Sequence, residues 1–532
     1  MANRIAYVQG GGFGVRTAPL LHQPGLRSDK ILSADERDLR PFNHNAYYAV
    51  AKPVCPYFGV SLSEPLIKRT VAAGIADLRI TLHNLPETVI DYYQGRSIGG
   101  VSVKKFLYET KPLDTSGGIV RDVVADIKDG FIKPQDTILI IAGDIRADID
   151  IAEFLGQHDS KQADISIVLA NVPRDEMFRF GAALREGDST PTLGEIIMKI
   201  KGAEQHFPVY GKLNLNPEVM ARIVKFYEKA PKLNPQMVTN PGELIVQDIL
   251  AKYGVGALAP TTLQNASIYA IRAELIYQLA PLVFNLNREV HSSCWRDTLN
   301  INDSGNSKFS DFGGDWFMRL TGSKPMPDVN AYSPTGELQK KIIEDLAGAP
   351  PQVFGFKMSG RWSDDGTLPS ILAGHFEILE DLATNGEKSS WPIAWEKVRR
   401  DMPHGIISMS NIGAMLKEIT LIPPVFIEDQ VIINSGAVIG PYAIIGRGWE
   451  VAGNISRSVL FPQKRIDRQI EGDRKWKRFF VPAKLRIERS LIGSGFESVA
   501  IDHLGIPVVL EHIKDAVMVS NGSQNVVSPI DI

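Results

Sequence analysis

Asp136-Thr137-Ile138-Leu139-Ile140-Ile141-Ala142-Gly143-Asp144 is a short β-branched apolar run that stops at a glycine and an acid. Outward from it, strand-like runs at Leu78–His83, Val101–Glu109 and Asp164–Val172 alternate with helical patterns at Pro86–Gly95, Ser116–Gly130 and Ile149–Gln162. This alternation predicts a parallel sheet covered by helices. Ligands of such sheets collect beyond the carboxyl ends of the strands, where Asp144 stands. At the start of the chain Ile5-Ala6-Tyr7-Val8 leads into Gly10-Gly11-Gly12-Phe13-Gly14-Val15-Arg16. Glycines let successive backbone N–H groups converge on an anion, and a guanidinium adds a fork of donors that fits phosphate oxygens. A tight connection would read the same way, and the dinucleotide pattern G-x-G-x-x-G is not what stands here. Arg16 shares the strand-end edge with Asp144 despite their distance in sequence.

Composition narrows the class. The 532 residues allow two to four domains, with 44% hydrophobic and 22% charged residues as in ordinary globular chains. A net charge of −3 gives no argument for nucleic acid or anionic lipid as partner. Cys55 and Cys294 are too few for a disulfide framework or a C-x-x-C metal site, which suits a reducing compartment. Neither a signal peptide nor an 18-residue apolar run is evident, so a cytoplasmic protein with no membrane partner is expected.

From Glu377 to Lys417 the chain reads as helix, a Ser389-Ser390-Trp391-Pro392 break and helix again, a linker. The period then changes. Ile427, Ile433, Ile439, Ile445 and Val451 recur every sixth residue, each followed four places later by Val431, Ala437, Ala443, Trp449 or Ile455. This is the hexapeptide pattern of a parallel β-helix, with one inward aliphatic on each side of a triangular coil. A basic, aromatic excursion at Gln463–Phe480 interrupts it and reads as a solvated loop rather than as a site for a nucleic acid or an anionic effector. Ile487, Leu491 and Ile492-Gly493 suggest one further coil; the tail after about Ile513 is uninformative. An acyltransferase would need a base, usually histidine, between coils. None occurs from Gly405 through the hexads, which favours an assembly module and a homo-oligomer.

The first 390 residues resemble the nucleotide-sugar pyrophosphorylases, the sugar-1-phosphate nucleotidyltransferases. The likeness rests on an ordered set of short motifs: Gly11-Gly12-Phe13-Gly14-Val15-Arg16 with Pro19-Leu20, Lys52-Pro53, Glu64-Pro65-Leu66-Ile67, Glu109-Thr110-Lys111-Pro112-Leu113-Asp114-Thr115-Ser116-Gly117, Ala142-Gly143-Asp144, Glu228-Lys229, Asn265-Ala266-Ser267-Ile268-Tyr269, Asp311-Phe312-Gly313 and Trp362-Ser363-Asp364-Asp365-Gly366-Thr367. The fold it implies is α/β: a Rossmann-like, mostly parallel sheet flanked by helices, followed by a short left-handed parallel β-helix.

The resemblance also implies a reaction. A sugar-1-phosphate oxygen attacks the α-phosphorus of a nucleoside triphosphate and pyrophosphate leaves. Repulsion between two polyanions is the main obstacle, so cations and aimed donors are what the protein must supply. Carried over by motif, Arg16 and Lys52 are catalytic; Gly11, Gly12, Gly14, Glu109, Asp114 and Thr115 bind the nucleotide; Gly181, Glu228, Lys229 and Asn265 hold the sugar phosphate. Asp144 and Asp364 hold Mg²⁺ as hard oxygen ligands. A carboxylate at Glu109 accepts from the N1–H and N2–H pair of guanine, which tilts the base towards GTP and the activity towards mannose-1-phosphate guanylyltransferase. Glucose-1-phosphate adenylyl- or uridylyltransferase and a non-catalytic regulatory subunit are the alternatives.

Several positions depart from the family pattern. Val15, Asp114, Ala230 and Ser267 replace threonine, glycine, proline and glycine. Arg16 and Lys52 lie unusually far apart, and the polar Gln23–Ala49 segment between them reads equally as a lid or as a surface loop. The expected division is a nucleotidyltransferase domain over 1–390 with insertions near 20–50, 204–222 and 332–350, a helical linker over 391–420, and a β-helix with an irregular tail over 421–532.

Overall fold

A computed structural model describes residues 2–10, 51–83, 85–109, 113–172, 181–200, 203–227, 261–284, 309–327, 337–412, 416–462, 479–493, 500–502, 507–508, 511–520 and 525–530. Gly11, Gly12, Gly14, Arg16, the 23–49 segment, Glu228, Lys229 and residues 463–478 of the basic excursion lie outside the described residues.

The first part of the chain builds β1 (Arg4–Gln9), α1 (Glu64–Ala72), β2 (Asp77–Leu82), α2 (Pro86–Tyr93), β3 (Val101–Tyr108), α3 (Gly117–Lys128), β4 (Thr137–Ala142), β5 (Ile145–Ala147), α4 (Ile151–Ser160) and β6 (Ile165–Asn171). β7 (Ala182–Arg185), β8 (Met220–Tyr227), β9 (Leu263–Arg272), α5 (Ala273–Val283), β10 (Val353–Lys357), β11 (Trp362–Asp364) and α6 (Leu368–Asn385) follow. One sheet runs β7-β8-β10-β6-β9-β4-β1-β2-β3, with Ser97–Ile98 on the outer edge. β4, β1, β2 and β3 are parallel, as the alternation predicts.

The expectation of a mostly parallel sheet needs correction. β9 is antiparallel to both β4 and β6, and β8 is antiparallel to both β7 and β10. A parallel neighbour requires a crossover connection, usually a helix, which is what strand–helix alternation in a sequence reveals. That alternation is readable up to β6 and is not legible after it.

Helices cover both faces. On one side α1, α2 and α6 enclose Ile67, Val89, Ile371 and Leu379; on the other α3 and α5 enclose Val120, Val124, Ile276 and Leu279. Beneath α3 a buried charge cluster ties helix to sheet. Arg79 of β2 donates to Asp126 at 2.7 Å and to Tyr7 of β1 at 2.9 Å, while Tyr7 donates to Asp122 at 2.7 Å. Burial and the Asp122 charge together hold the Tyr7 hydroxyl well above the usual phenol range.

The 204–222 insertion divides in two. Its first half is a strand of an antiparallel hairpin, Thr192–Ile200 with Ala203–Tyr210, and its end enters the main sheet as β8. The 332–350 insertion carries a helix, Glu337–Gly348.

The helical linker is also corrected. Residues 391–405 contain a single 3-10 turn, Trp395–Lys397, and Ile406–Ser408 already pairs in parallel with Val425–Ile427. The coil therefore begins about fifteen residues before the expected 421, its first strand being too short to show a period.

From there three parallel sheets are visited in rotation. Ile427 pairs with Ile445 and then Leu460, Ile433 with Val451 and then Val481, Ile439 with Ile455 and then Ile487. All of these side chains are buried in one cluster. Phe479 and Phe480, assigned by sequence to the excursion, belong to a coil strand. Alternation along each strand sends Phe426, Ile444, Val459 and Phe461 outward, where they join the core that contains α6, Tyr57 and Phe58.

Candidate active site

The strand ends of β1 and β4 frame the site. Gly143 donates to Gln9 O at 3.0 Å, and a Cβ on Gly143 would sit 2.8 Å from the Pro53 ring. That absent side chain lets the Lys52–Val54 turn close over the end of β4. Lys52 is thereby carried to Asp144: its Nζ donates to Oδ2 at 3.3 Å, with the Lys52 side chain nearly enclosed and the Asp144 side chain one-third exposed. The long sequence gap between Arg16 and Lys52 does not take the ammonium away from the acid.

Asp364 arrives from the other end of the domain. β11 pairs antiparallel with β5 so that Asp364 lies opposite Ile145, and Asp365 N donates to Asp144 O at 3.3 Å. The two expected metal ligands thus occupy adjacent places on neighbouring strands. Among the described residues no cage of three or more His, Cys, Asp or Glu side chains is gathered. Two carboxylates on neighbouring strands are donors of the kind Mg²⁺ takes, since it keeps waters and fills its octahedron with phosphate oxygens. The residues present fit that ion.

The loop expected to bind the base packs beside β1. Gln9 Nε2 donates to Thr115 O at 2.6 Å, and Thr115 Oγ1 donates to Asp311 at 2.9 Å while accepting from Phe312 N at 2.9 Å. Asp114, which replaces a family glycine, has φ 53°, a left-handed conformation that Asp tolerates better than most residues. Its carboxylate accepts from Ser310 Oγ at 2.5 Å. Ser267, the other glycine replacement, has φ 58° and its N–H donates to Asn265 Oδ1 at 2.9 Å. Both departures keep the backbone shape that glycine would give.

Glu109 is turned inward and only 6% exposed, accepting from Leu113 N at 3.2 Å. Burial pushes its carboxyl up to about 7, with the Leu113 N–H and Arg121 opposing. Gly181 and Asn265 meet through Asn265 N donating to Gly181 O at 2.7 Å. The Asn265 amide is engaged locally, donating to Tyr269 OH at 3.0 Å across a β-bulge. Trp362 Nε1 donates to Ala266 O at 3.1 Å, which moors β11 to that bulge.

Residues 47–381, more than half of the chain, match the nucleotidyl transferase family. The chain belongs to that family. This nucleotidyl transferase is similar to a mannose-1-phosphate guanylyltransferase of Mycobacterium tuberculosis, 28% identical over 163 residues that cover 29% of this chain and 42% of the relative. The match thus spans less than half of that protein's length. Among solved structures it is similar to UDP-glucose pyrophosphorylase from Acinetobacter baumanii, at 14% identity and TM-score 0.39 over 73% of this chain and 96% of that one. A UTP-bound UGPase from the same source aligns at 12% identity and TM-score 0.37, with the same coverages.

Four side chains of the transferase were not anticipated by the sequence: Tyr57, Arg146, Asp365 and His375. They form a buried unit directly behind Asp144 and Asp364. The signal that was present is the Asp364-Asp365 doublet together with an arginine two residues after Asp144.

Proposed function

We propose that the chain transfers a nucleoside monophosphate from a nucleoside triphosphate to a sugar-1-phosphate, releasing pyrophosphate, with GTP and mannose-1-phosphate as the preferred pair. The observation that carries this reading is the meeting of Lys52 with Asp144 at 3.3 Å, beside Asp364, at the carboxyl end of the parallel strands. An ammonium there lowers the repulsion between the two phosphates and stabilises charge on the departing pyrophosphate. Asp144 and Asp364 would hold Mg²⁺, which when bound supplies further neutralisation of phosphate charge. Arg16 and the amides of Gly11, Gly12 and Gly14 would grip the triphosphate tail. Glu228 and Lys229 would orient the sugar phosphate, with Gly181 and the Asn265 bulge shaping the pocket floor.

Guanine is favoured by the likeness to a guanylyltransferase and by Glu109. A carboxyl held near its neutral form by burial gains its charge back when two base N–H groups approach it, and adenine has no such pair. The coil is read as left-handed and as an assembly module of a homo-oligomer.

The test is pyrophosphate release with ATP, GTP, UTP and dTTP, each paired with mannose- and glucose-1-phosphate. The expected maximum is GTP with mannose-1-phosphate. A maximum with ATP or UTP would replace the base assignment, and binding without turnover for every pair would make the chain a regulatory subunit.

A further inference from the structure

Asp365 follows Asp364 and is 1% exposed, yet its carboxylate is among the most fully bonded groups in the domain. Oδ2 accepts from Tyr57 OH and from Arg146 Nε, both at 2.7 Å, and Oδ1 accepts from Arg146 Nη2 at 3.2 Å and Ser363 Oγ at 2.9 Å. Arg146 lies on β5 two residues after Asp144, and also donates to Glu377 of α6 at 3.1 Å. The fork therefore ties β5 to the end of β11 immediately behind the two acids assigned to the metal.

The surroundings are shaped for this pair. Gly374 of α6 leaves the room the guanidinium occupies: a Cβ there would sit 2.7 Å from Arg146 Nη2 and 3.0 Å from Asp365 Oδ2. Tyr57 is fully buried and stacked on His375, ring centroids 3.8 Å apart and 18° from parallel. Burial works against the charge on Arg146, but Asp365 holds its guanidinium above the ordinary value. An ion pair buried this deeply is a poor route to stability compared with apolar packing, because desolvation consumes much of the attraction. Its advantage is directional: a bidentate fork fixes two strands in one register.

We propose that Arg146, Asp365 and Tyr57 are positioning residues that set the spacing of the Asp144 and Asp364 carboxylates for a divalent cation. This inference rests on the transferase reading. It assigns to three residues outside the phosphate cleft a role in cation affinity rather than in contact with substrate.

Tyr57→Phe keeps the ring stack and removes one donor; Gly374→Ala keeps every polar group and crowds the fork. Both are compared with the parent by Mn²⁺ titration followed by electron paramagnetic resonance, with a non-hydrolysable GTP analogue present, and by the Mg²⁺ dependence of pyrophosphate release. The expected result is about tenfold weaker Mn²⁺ binding, the range typical when groups that orient metal ligands are altered. The half-saturating Mg²⁺ should rise in step, with KM for the sugar phosphate unchanged. Unaltered Mn²⁺ affinity in both folded variants overturns the inference while leaving the transferase reading intact. A parent without turnover overturns that reading, and the Mn²⁺ titration still decides this one.

Discussion

The α/β domain and the coil bury polar groups in opposite ways. The domain buries charge: Arg79 with Asp122 and Asp126 under α3, and Arg146 with Asp365 behind the cleft. The coil interior is a ladder of aliphatics; apart from Glu428, paired with Arg447 at the rim, its buried polar side chains among the described residues are serines serving the turns. Ser410 Oγ donates to Glu428 O at 2.7 Å, and Ser458 Oγ accepts from Ser490 N at 3.1 Å. Charge pairs specify one geometry at a cost in desolvation, whereas stacked aliphatics stabilise any number of equivalent coils. The region with single, unrepeatable contacts is the one that carries the chemistry.

That contrast is broken or sharpened by four measurements. Lys52→Ala should lower kcat/KM for pyrophosphate release by about 10²–10³-fold, the loss expected for one aimed donor to a charged transition state. Its melting temperature should stay close to the parent's. Ile439→Ala, in the coil, should do the reverse: about 2–5 kcal/mol less stable by urea unfolding, with kcat/KM intact below the transition. A rate loss in Ile439→Ala without unfolding would show that the coil interior is not mere scaffolding.

Glu109→Gln reads the buried acid through pH. The folded chain keeps the Glu109 proton up to about 7, well above the 4.5 of a free carboxyl, so it holds a proton that the unfolded chain releases. Stability from this group is therefore full below pH 4.5, falls as pH rises, and levels off above 7. The glutamine variant should lack this decline and be more stable at pH 8 by on the order of 3 kcal/mol, with the gap closing towards pH 4.5. Smallest is Ser458→Ala, about 1 kcal/mol for a hydroxyl that accepts from Ser490 N and donates to Ser456 O, measured by denaturation.

The parallel half of the domain was legible because an amphipathic helix of unmistakable period separates each successive pair of β1, β2, β3, β4 and β6. The strands after Gly181 were not, since they are separated by insertions and β8 and β9 run antiparallel to their neighbours. In the site, Lys52, Asp144 and Asp364 were readable from motif order, and the structure brings them to one strand end. Arg146, Asp365 and Tyr57 left little trace beyond the acidic doublet and an arginine near Asp144, because their meaning lies in contacts across two to three hundred residues. Asn265, expected as a sugar ligand, bonds Tyr269 OH and Ser267 N through its amide within a bulge. Asp114 counted as a departure from the pattern until its backbone angle showed it filling the role of the glycine it replaces.

The outward row of the first coil sheet has a practical corollary. Phe426 meets Phe58 edge-on at 4.9 Å, and Phe461 meets His375 at 5.7 Å, the same ring that supports Tyr57. Severing the polypeptide near residue 405 would strip a greasy flank from both fragments at once. Neither half should behave as a free-standing piece: the enzyme fragment would clump, and the pair should regain solubility only when expressed together.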